Sequence, residues 1–432
     1  MDKNRIHLFR RRRETDKRYR RYVRCLTVIL LSVVMLCAGC TGKDAVGSSA
    51  GGSGEQTAAA DSRQNEAGSS TEAAPKTETA ATASHSWNNM SPVSSMDLLY
   101  ADQFSVDYYE NDISLITIGD TDQFLLLPEG MSAPVGLPDS IKILQKPVKN
   151  IYLVATSAMD DFIHLDAMDL IALSGTKDTG WYLPEARTAM EEGKIAYAGK
   201  YSAPDYEKIL SSDCGLAVES TMIYHTPEVK EQLERLGIPV LVERSSYEGH
   251  PLGRMEWIRL YGVLTGKEAE AEQVFRENMN ALSDVLDMEP SGKTAAFFYV
   301  TNSGSVNVRK NGDYIAKMIA LAGGTYIPGN AGSDENALST MNMDFESFYA
   351  AAKDADVLIY NSTIDGELTA IDELCAKNQL FADFKAVKEG NVWCTGKNMF
   401  QETMGLGDMI RDMNAVFADD TEYSFTYLHQ LK

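Results

Sequence analysis

The chain has 432 residues, with 40 Lys and Arg against 62 Asp and Glu, a formal charge of −22 at neutral pH. That length holds two lobes with full cores plus accessory segments. The acidic balance excludes nucleic acid as a partner, because a phosphate backbone requires a basic face, and it excludes attachment to anionic lipid by charge alone.

Met1–Arg24 carries 11 Lys and Arg against 3 acidic residues, and Cys25–Gly39 is an apolar run of 15. A basic start, a short apolar core and small residues before the break make residues 1–39 a signal peptide, too short for a comfortable membrane span. The remainder has 29 basic and 59 acidic residues, a net charge of −30 that serves solubility. The ending Ala38-Gly39-Cys40 resembles a bacterial lipoprotein signal with Cys40 as the lipidated residue, although Cys37 stands where that motif usually has Leu. The competing reading is an uncleaved anchor helix. Either way the body lies outside the cytoplasm, held to the membrane. Residues 40–95, mostly Gly, Ser, Ala, Thr and Glu, lack the apolar surface to fold and read as a flexible tether.

Residues 96–146 read as a small antiparallel β-meander. Phe104–Tyr109, Ile113–Ile118 and Gln123–Pro128 supply the strands, and Asn111-Asp112 and Gly119-Asp120 the turns. It is expected to be a structural apron without chemistry of its own. From Pro147 a βα rhythm begins, with strands expected at Ile151–Ala155, Leu170–Leu173, Ile195–Ala198, Leu216–Glu219 and Ile238–Glu243. Helical stretches such as Asp205–Ser212 and Glu228–Leu236 lie between them, so residues 147–262 form an α/β lobe around a parallel sheet. Residues 263–289 hold a long helix. Lys267–Asp287 has no Gly or Pro, and Val274, Phe275, Met279, Leu282, Val285 and Leu286 keep helical period. Such a helix spans roughly 30 Å, a length suited to joining two lobes. The rhythm then returns over residues 290–432, with strands at Ala295–Thr301, Val357–Tyr360 and Asn391–Cys394 and helices at Tyr314–Leu321 and Phe345–Ala352.

The order Gly237-Ile238-Pro239-Val240, polar turn Ser245–Gly249, helix, Leu264-Thr265-Gly266-Lys267-Glu268, long helix resembles the periplasmic-binding-protein family that serves importers of ferric siderophores, haem and cobalamin. The resemblance runs over roughly Pro147–Phe417. It implies an α/β fold of two Rossmann-like lobes joined by one long α-helix, the class III substrate-binding architecture, with the β-meander before the first lobe. It also implies a ligand held in the inter-lobe cleft and closure by a small movement.

In open parallel sheets ligands bind beyond the carboxyl ends of the strands. The candidate binding residues there are Ser157, Trp181, Tyr182, Lys200, Glu219, Ser220, Tyr247, Arg254, Arg309, Tyr314, Lys397 and Phe400. Aromatic walls with a few cations suit a large anionic metal chelate, because rings supply contact area at low entropy cost and Arg matches carboxylate or catecholate oxygens. The competing expectation is ordinary core for each aromatic and a solvated surface for each cation. Glu207 and Glu346 open the first turn of one helix in each lobe, where the helix dipole alone favours acids. The family resemblance implies that acids at these positions dock to arginines of the permease.

Four histidines (164, 225, 250 and 429) lie in the body without metal-ligand spacing, so no resident metal or cofactor is expected. His164 and His250 are the candidates for axial ligation of haem iron or cobalt, with local hydrogen bonding as the simpler reading. Asp160-Asp161 reads as charge at a helix start. No nucleophile elbow, phosphate loop or dinucleotide fingerprint occurs, so an enzyme is not expected. Cys214, Cys375 and Cys394 lack CxxC spacing; a Cys375–Cys394 bond and free buried thiols both stay open. The resemblance therefore implies a monomeric substrate-binding lipoprotein of an ABC importer, carrying a ferric siderophore to a permease and its ATPase subunits. Cobalamin, another corrinoid or haem are the alternative cargoes. Adhesion or cofactor delivery on the same fold is the alternative of another class.

Overall fold

The computed structural model describes residues 86–329 and 340–432. The expected signal peptide, Cys40 and most of the expected tether lie outside those residues. The chain then builds three sheets in succession.

The first sheet has five strands in sequence order, β1 (Ser94–Ser95), β2 (Phe104–Tyr108), β3 (Ser114–Ile118), β4 (Asp122–Pro128) and β5 (Ile141–Lys146). The expected antiparallel meander holds for β1 to β4, but β5 pairs parallel to β4. The long connection between β4 and β5 makes this possible, since parallel neighbours need a crossover that a tight turn cannot supply. Phe104, Val106, Ile116, Ile118, Phe124 and Leu126 face the main core. Leu115, Leu125, Leu127 and Ile141 form a small second core on the opposite face.

Two buried carboxylates tie the segment between β1 and β2 to the rest of the molecule. Glu256 accepts the backbone N–H groups of Leu99, Tyr100 and Ala101 at 2.7–2.8 Å, and it pairs with Arg259 at 3.0 Å. Glu248 accepts those of Asp102 and Gln103 and the indole N–H of Trp257 at 2.9–3.1 Å. Five consecutive amides are thus captured by two side chains. Gly253 is required beside them, because a Cβ there would meet the Tyr100 carbonyl oxygen at 3.0 Å.

The second sheet is wholly parallel: β6 (Ile151–Leu153), β7 (Ile171–Ser174), β8 (Ala196–Tyr197), β11 (Leu216–Ser220) and β12 (Val240–Glu243), in spatial order β12-β11-β6-β7-β8. A two-residue ribbon of β9 (Gly199–Lys200) and β10 (Ala203–Pro204) hangs between β8 and β11. Helix α1 (Ala158–His164) follows β6 and helix α2 (Tyr206–Ser211) precedes β11. Helices α3 (Pro251–Met255) and α4 (Ile258–Thr265) follow β12, and Gly266 ends α4 in the left-handed conformation.

The connecting helix α5 (Glu268–Ala281) has 14 residues, shorter than expected, and covers about 21 Å. At Leu282 the chain bends into a single further turn, Ser283–Leu286. The Ser283 hydroxyl donates to the Asn280 carbonyl, the local competition by which serine loosens a helix. Helices α4 and α5 pack as a tight hairpin. A Cβ on Gly262 would come within 2.5 Å of that of Ala271.

The third sheet mixes directions. Strands β13 (Thr294–Val300), β15 (Thr325–Ile327), β17 (Val357–Tyr360) and β18 (Val392–Thr395) run parallel. Strands β14 (Val306–Arg309), β16 (Thr340–Met343) and β19 (Leu428–Gln430) run antiparallel to their neighbours. Helices α6 (Tyr314–Leu321) and α7 (Phe345–Ala352) begin at Asp313 and Asp344, whose carboxylates accept from Ile315 N and Ser347 N. Near the end, α8 (Leu406–Ala418) buries most of its surface, including Met409, Ile410, Met413, Val416 and Phe417.

One continuous apolar core runs from the first sheet through α1 and α3–α5 to α6 and α8. The outer faces of the second and third sheets have separate cores. The two α/β halves therefore share packed side chains as well as a connecting helix, and native packing density gives such a junction little room to deform. Cys214, Cys375 and Cys394 are free thiols.

Candidate functional site

The strand orders locate the site. In the second sheet β11 lies on one side of β6 and β7 on the other; in the third, β17 lies on one side of β13 and β15 on the other. These reversals open crevices beyond the carboxyl ends of the strands, at Thr156-Ser157 and Ser220-Thr221 in the first half and at Thr301 and Asn361-Ser362 in the second.

Contacts across the seam bring several expected residues together. The Arg254 guanidinium of α3 lies 4.0 Å from the ring centre of Tyr314, the first residue of α6. Arg309, at the end of β14, sits over Phe297 at 5.7 Å and Phe400 at 5.6 Å and pairs with Asp313 at 3.6 Å. Ser157 donates to Glu243 at 3.3 Å, and its carbonyl accepts the Thr403 hydroxyl at 2.9 Å. Gln401, next to Phe400, accepts Tyr182 N at 2.7 Å and donates to the Gly180 carbonyl at 2.9 Å. Ser157, Tyr182, Arg254, Arg309, Tyr314 and Phe400 thus lie along one seam between the halves.

The other expected residues lie elsewhere. Trp181 is fully buried, its indole N–H donating to Ser174 at 3.3 Å. Glu219 is also fully buried, and neither of its oxygens has a partner among the described residues. Burial pushes its carboxyl up to about 8. Both side chains belong to the interior, and neither presents a surface to a ligand. Ser220 accepts Met222 N at the start of a short turn of helix. Lys200 is exposed on β9, and Tyr247 lies under Arg244 at 4.7 Å. Lys397, half-buried, stands three residues before Phe400.

The acids at the start of α1 stand in its first turn, as expected of charge at a helix start. Asp160 and Asp161 are both buried. Asp160 accepts Met404 N at 2.7 Å and pairs with His164 at 3.2 Å. Burial, with Asp160 and Glu243 nearby, holds the Asp161 carboxyl far above the usual carboxylate range. Glu243 is likewise raised by burial, against the opposing pull of Ser245 and Arg254. His250 accepts Leu252 N at 3.2 Å and caps α3, so both candidate axial histidines are engaged locally. A cavity of about 430 Å³ beside the seam is lined by Asp160, His164, Glu185, Glu402 and Asp408.

The bond to Asp160 pushes the His164 ring up to about 9, above an ordinary histidine near 6.5. A raised histidine stabilises the fold fully below pH 6.5 and loses that contribution as pH rises through 9. The ring is 41% exposed, so solvent screening reduces the effect to on the order of 1 kcal/mol. The stability difference between wild type and His164→Gln, read by urea denaturation, should therefore shrink by that amount between pH 6 and pH 9.5. An unchanged difference would dismiss the charged pair.

Glu207 and Glu346 are exposed, each following an Asp cap and an aromatic residue at the start of α2 and α7. Both helices lead into central strands, β11 and β17, which puts their first turns at the carboxyl-end side of the sheets. Gln401, Thr403 and Glu243 had no distinguishing motif, because their roles arise from partners more than 60 residues away or from burial.

The family model for periplasmic binding proteins matches residues 154–399. Two uncharacterized lipoproteins of Methanocaldococcus jannaschii are similar. One is 25% identical over 333 residues, covering 70% of this chain and 77% of the relative; the other is 26% identical over 307 residues, covering 68% and 75%. A periplasmic binding protein from Veillonella parvula shares the fold with a TM-score of 0.50 at 16% identity, over 63% of this chain and 92% of that one. A periplasmic heme binding protein of Vibrio cholerae does so with a TM-score of 0.50 at 15% identity, over 61% and 97%. The matched segment spans more than half of the sequence and runs through strands of both α/β halves: the chain belongs to the periplasmic binding protein family.

Proposed function

We propose that this protein is the substrate-binding lipoprotein of an ABC importer, tethered through Cys40, and that it captures a ferric siderophore between its two α/β halves. The observation that carries the reading is the pair of stacked arginines at the seam, Arg254 on Tyr314 and Arg309 on Phe400. Cations held on aromatic faces keep their N–H groups available for anionic oxygens. That suits a chelate bearing carboxylate, hydroxamate or catecholate groups. The local hydrogen bonds of His164 and His250 favour a cargo that brings its own complete coordination sphere over haem. The relatives named as lipoproteins support the anchor at Cys40.

Titration of the purified body with ferric siderophores, haemin and cyanocobalamin, followed by tryptophan quenching and visible absorbance, tests the reading. Binding of a ferric chelate with about tenfold or greater weakening in Arg254→Ala and Arg309→Ala is expected, the worth of one charge-assisted contact each. A response to cobalamin or haemin alone would replace the cargo. No response to any would favour adhesion or delivery. The matching placement of Glu207 and Glu346 supports docking to permease arginines. Reversal of both to Lys should abolish uptake in cells while leaving chelate affinity unchanged; normal uptake would remove that role.

A further inference from the structure

The segment after β18 carries two kinds of residue side by side. Lys397 and Phe400 are cargo candidates. Gln401, Thr403 and Met404 bond to the other half of the molecule. The Gln401 amide pairs with the backbone of residues 180–182 at both of its atoms, accepting Tyr182 N at 2.7 Å and donating to Gly180 O at 2.9 Å. Thr403 donates to Ser157 O at 2.9 Å, and Met404 N donates to Asp160 at 2.7 Å. Four hydrogen bonds thus join one short segment of the second half to the 180–182 loop and to the start of α1 in the first. Both lie beyond the carboxyl ends of β6 and β7, beside the crevice. Gly180 and Tyr182 flank the fully buried Trp181, so the backbone that Gln401 grips is itself anchored in a core.

We propose that Gln401 is a positioning residue of the cleft: its paired amide bonds hold the halves at the spacing that retains cargo, and cargo leaves only when that pair opens. Phe400 precedes Gln401 directly, so a ligand that moves the ring moves the latch. Gln401 touches backbone on the opposite side, which makes the contact indifferent to side-chain identity there and dependent on distance. A two-point amide pair is directional, and a shift of one half by more than a fraction of an ångström breaks both bonds together. The retention role rests on the importer reading; the latch itself does not.

Two arms test the proposal on the full-length protein. Hydrogen exchange, which needs no cargo, should show about tenfold faster exchange at the Tyr182 amide in Gln401→Ala, with the melting temperature nearly unchanged. In Gln401→Glu the carboxylate still accepts Tyr182 N but has no proton for Gly180 O. At pH 7 its exchange should fall between wild type and Gln401→Ala, because one bond of the pair is kept and the other lost, and at pH 4, where the protonated acid donates again, it should approach wild type. Unchanged exchange in both variants would overturn the latch. In the second arm, ferric desferrioxamine, haemin and cyanocobalamin are loaded in turn and release is timed by stopped-flow absorbance. The chelate that binds should leave about tenfold faster from Gln401→Ala, with its association rate unchanged. Equal release rates would overturn the retention role. Failure of wild type to bind any of the three would instead sink the importer reading, leaving the exchange result to decide the latch.

Discussion

Glu256→Ala is expected to cost the fold about 3–5 kcal/mol, the usual penalty for removing one partner of a buried charge network. Glu256 is fully buried and serves three consecutive amides, those of Leu99, Tyr100 and Ala101, together with Arg259. Truncation takes the acceptor from all three amides at once and leaves the Arg259 guanidinium with only its second partner, Glu272 at 2.9 Å. For a folded body of this size the loss corresponds to a fall in melting temperature of roughly 5 °C. Protection of amides 99–101 should collapse further than protection elsewhere, because the segment before β2 loses its tether first. A variant with wild-type melting temperature and wild-type exchange at these amides would show that the capture contributes little. Glu256 stands directly between Met255 and Trp257, two residues after Arg254, so the same change should loosen the helix that presents the stacked arginine. The N-terminal sheet, expected to be a structural apron, is tied to the first half through the carboxylates on either side of α3.

Glu219→Gln should have the opposite sign. The wild-type carboxyl is enclosed in the outer core of the second sheet, near Tyr152 and Tyr206, and is raised by burial to about 8. An unfolded glutamate titrates near 4.5. A raised acid lowers stability as pH climbs from the unfolded to the folded value, and the loss levels off above the latter. Between pH 4.5 and 8 this amounts to on the order of 4 kcal/mol. Glutamine keeps the shape without the charge, so the variant should match wild type near pH 4.5 and exceed it by that order at pH 8.5 in chemical denaturation. Chelate affinity should be unaltered, since the side chain is sealed from the cleft. Equal stabilities at pH 8.5 would mean that the ionised carboxylate is well solvated in the fold. The His164 contribution also declines with rising pH, but it is common to both proteins and cancels in the comparison.

Much of the architecture is local and was readable. Tyr314–Leu321, Phe345–Ala352 and Val357–Tyr360 are found with the ends expected of them, because an Asp cap and an apolar period specify a helix and a short apolar run specifies a buried strand. Helix α8 was missed although Leu406, Met409, Ile410, Met413 and Phe417 carry helical spacing. Its mid-helix Asp412, buried and accepting from Thr426, Tyr427 and Leu428 N, interrupts the apolar pattern. The parallel entry of β5 and the mixed directions of the third sheet depend on how long connections travel, and strand residues carry no mark of that.

Chain order, periodicity and capping residues thus suffice for two α/β halves with a helix between them, because these properties are set by neighbours within a few residues. Which side chains meet was settled by packing. Tyr182 and Gln401 are separated by more than 200 residues, and Arg254 and Tyr314 by 60. Glu219 and Trp181 stand near strand ends yet turn inward, because facing inward or outward depends on what the sheet packs against. A hydrogen bond or a stacked ring needs ångström placement from distant segments, and only the closed core provides it.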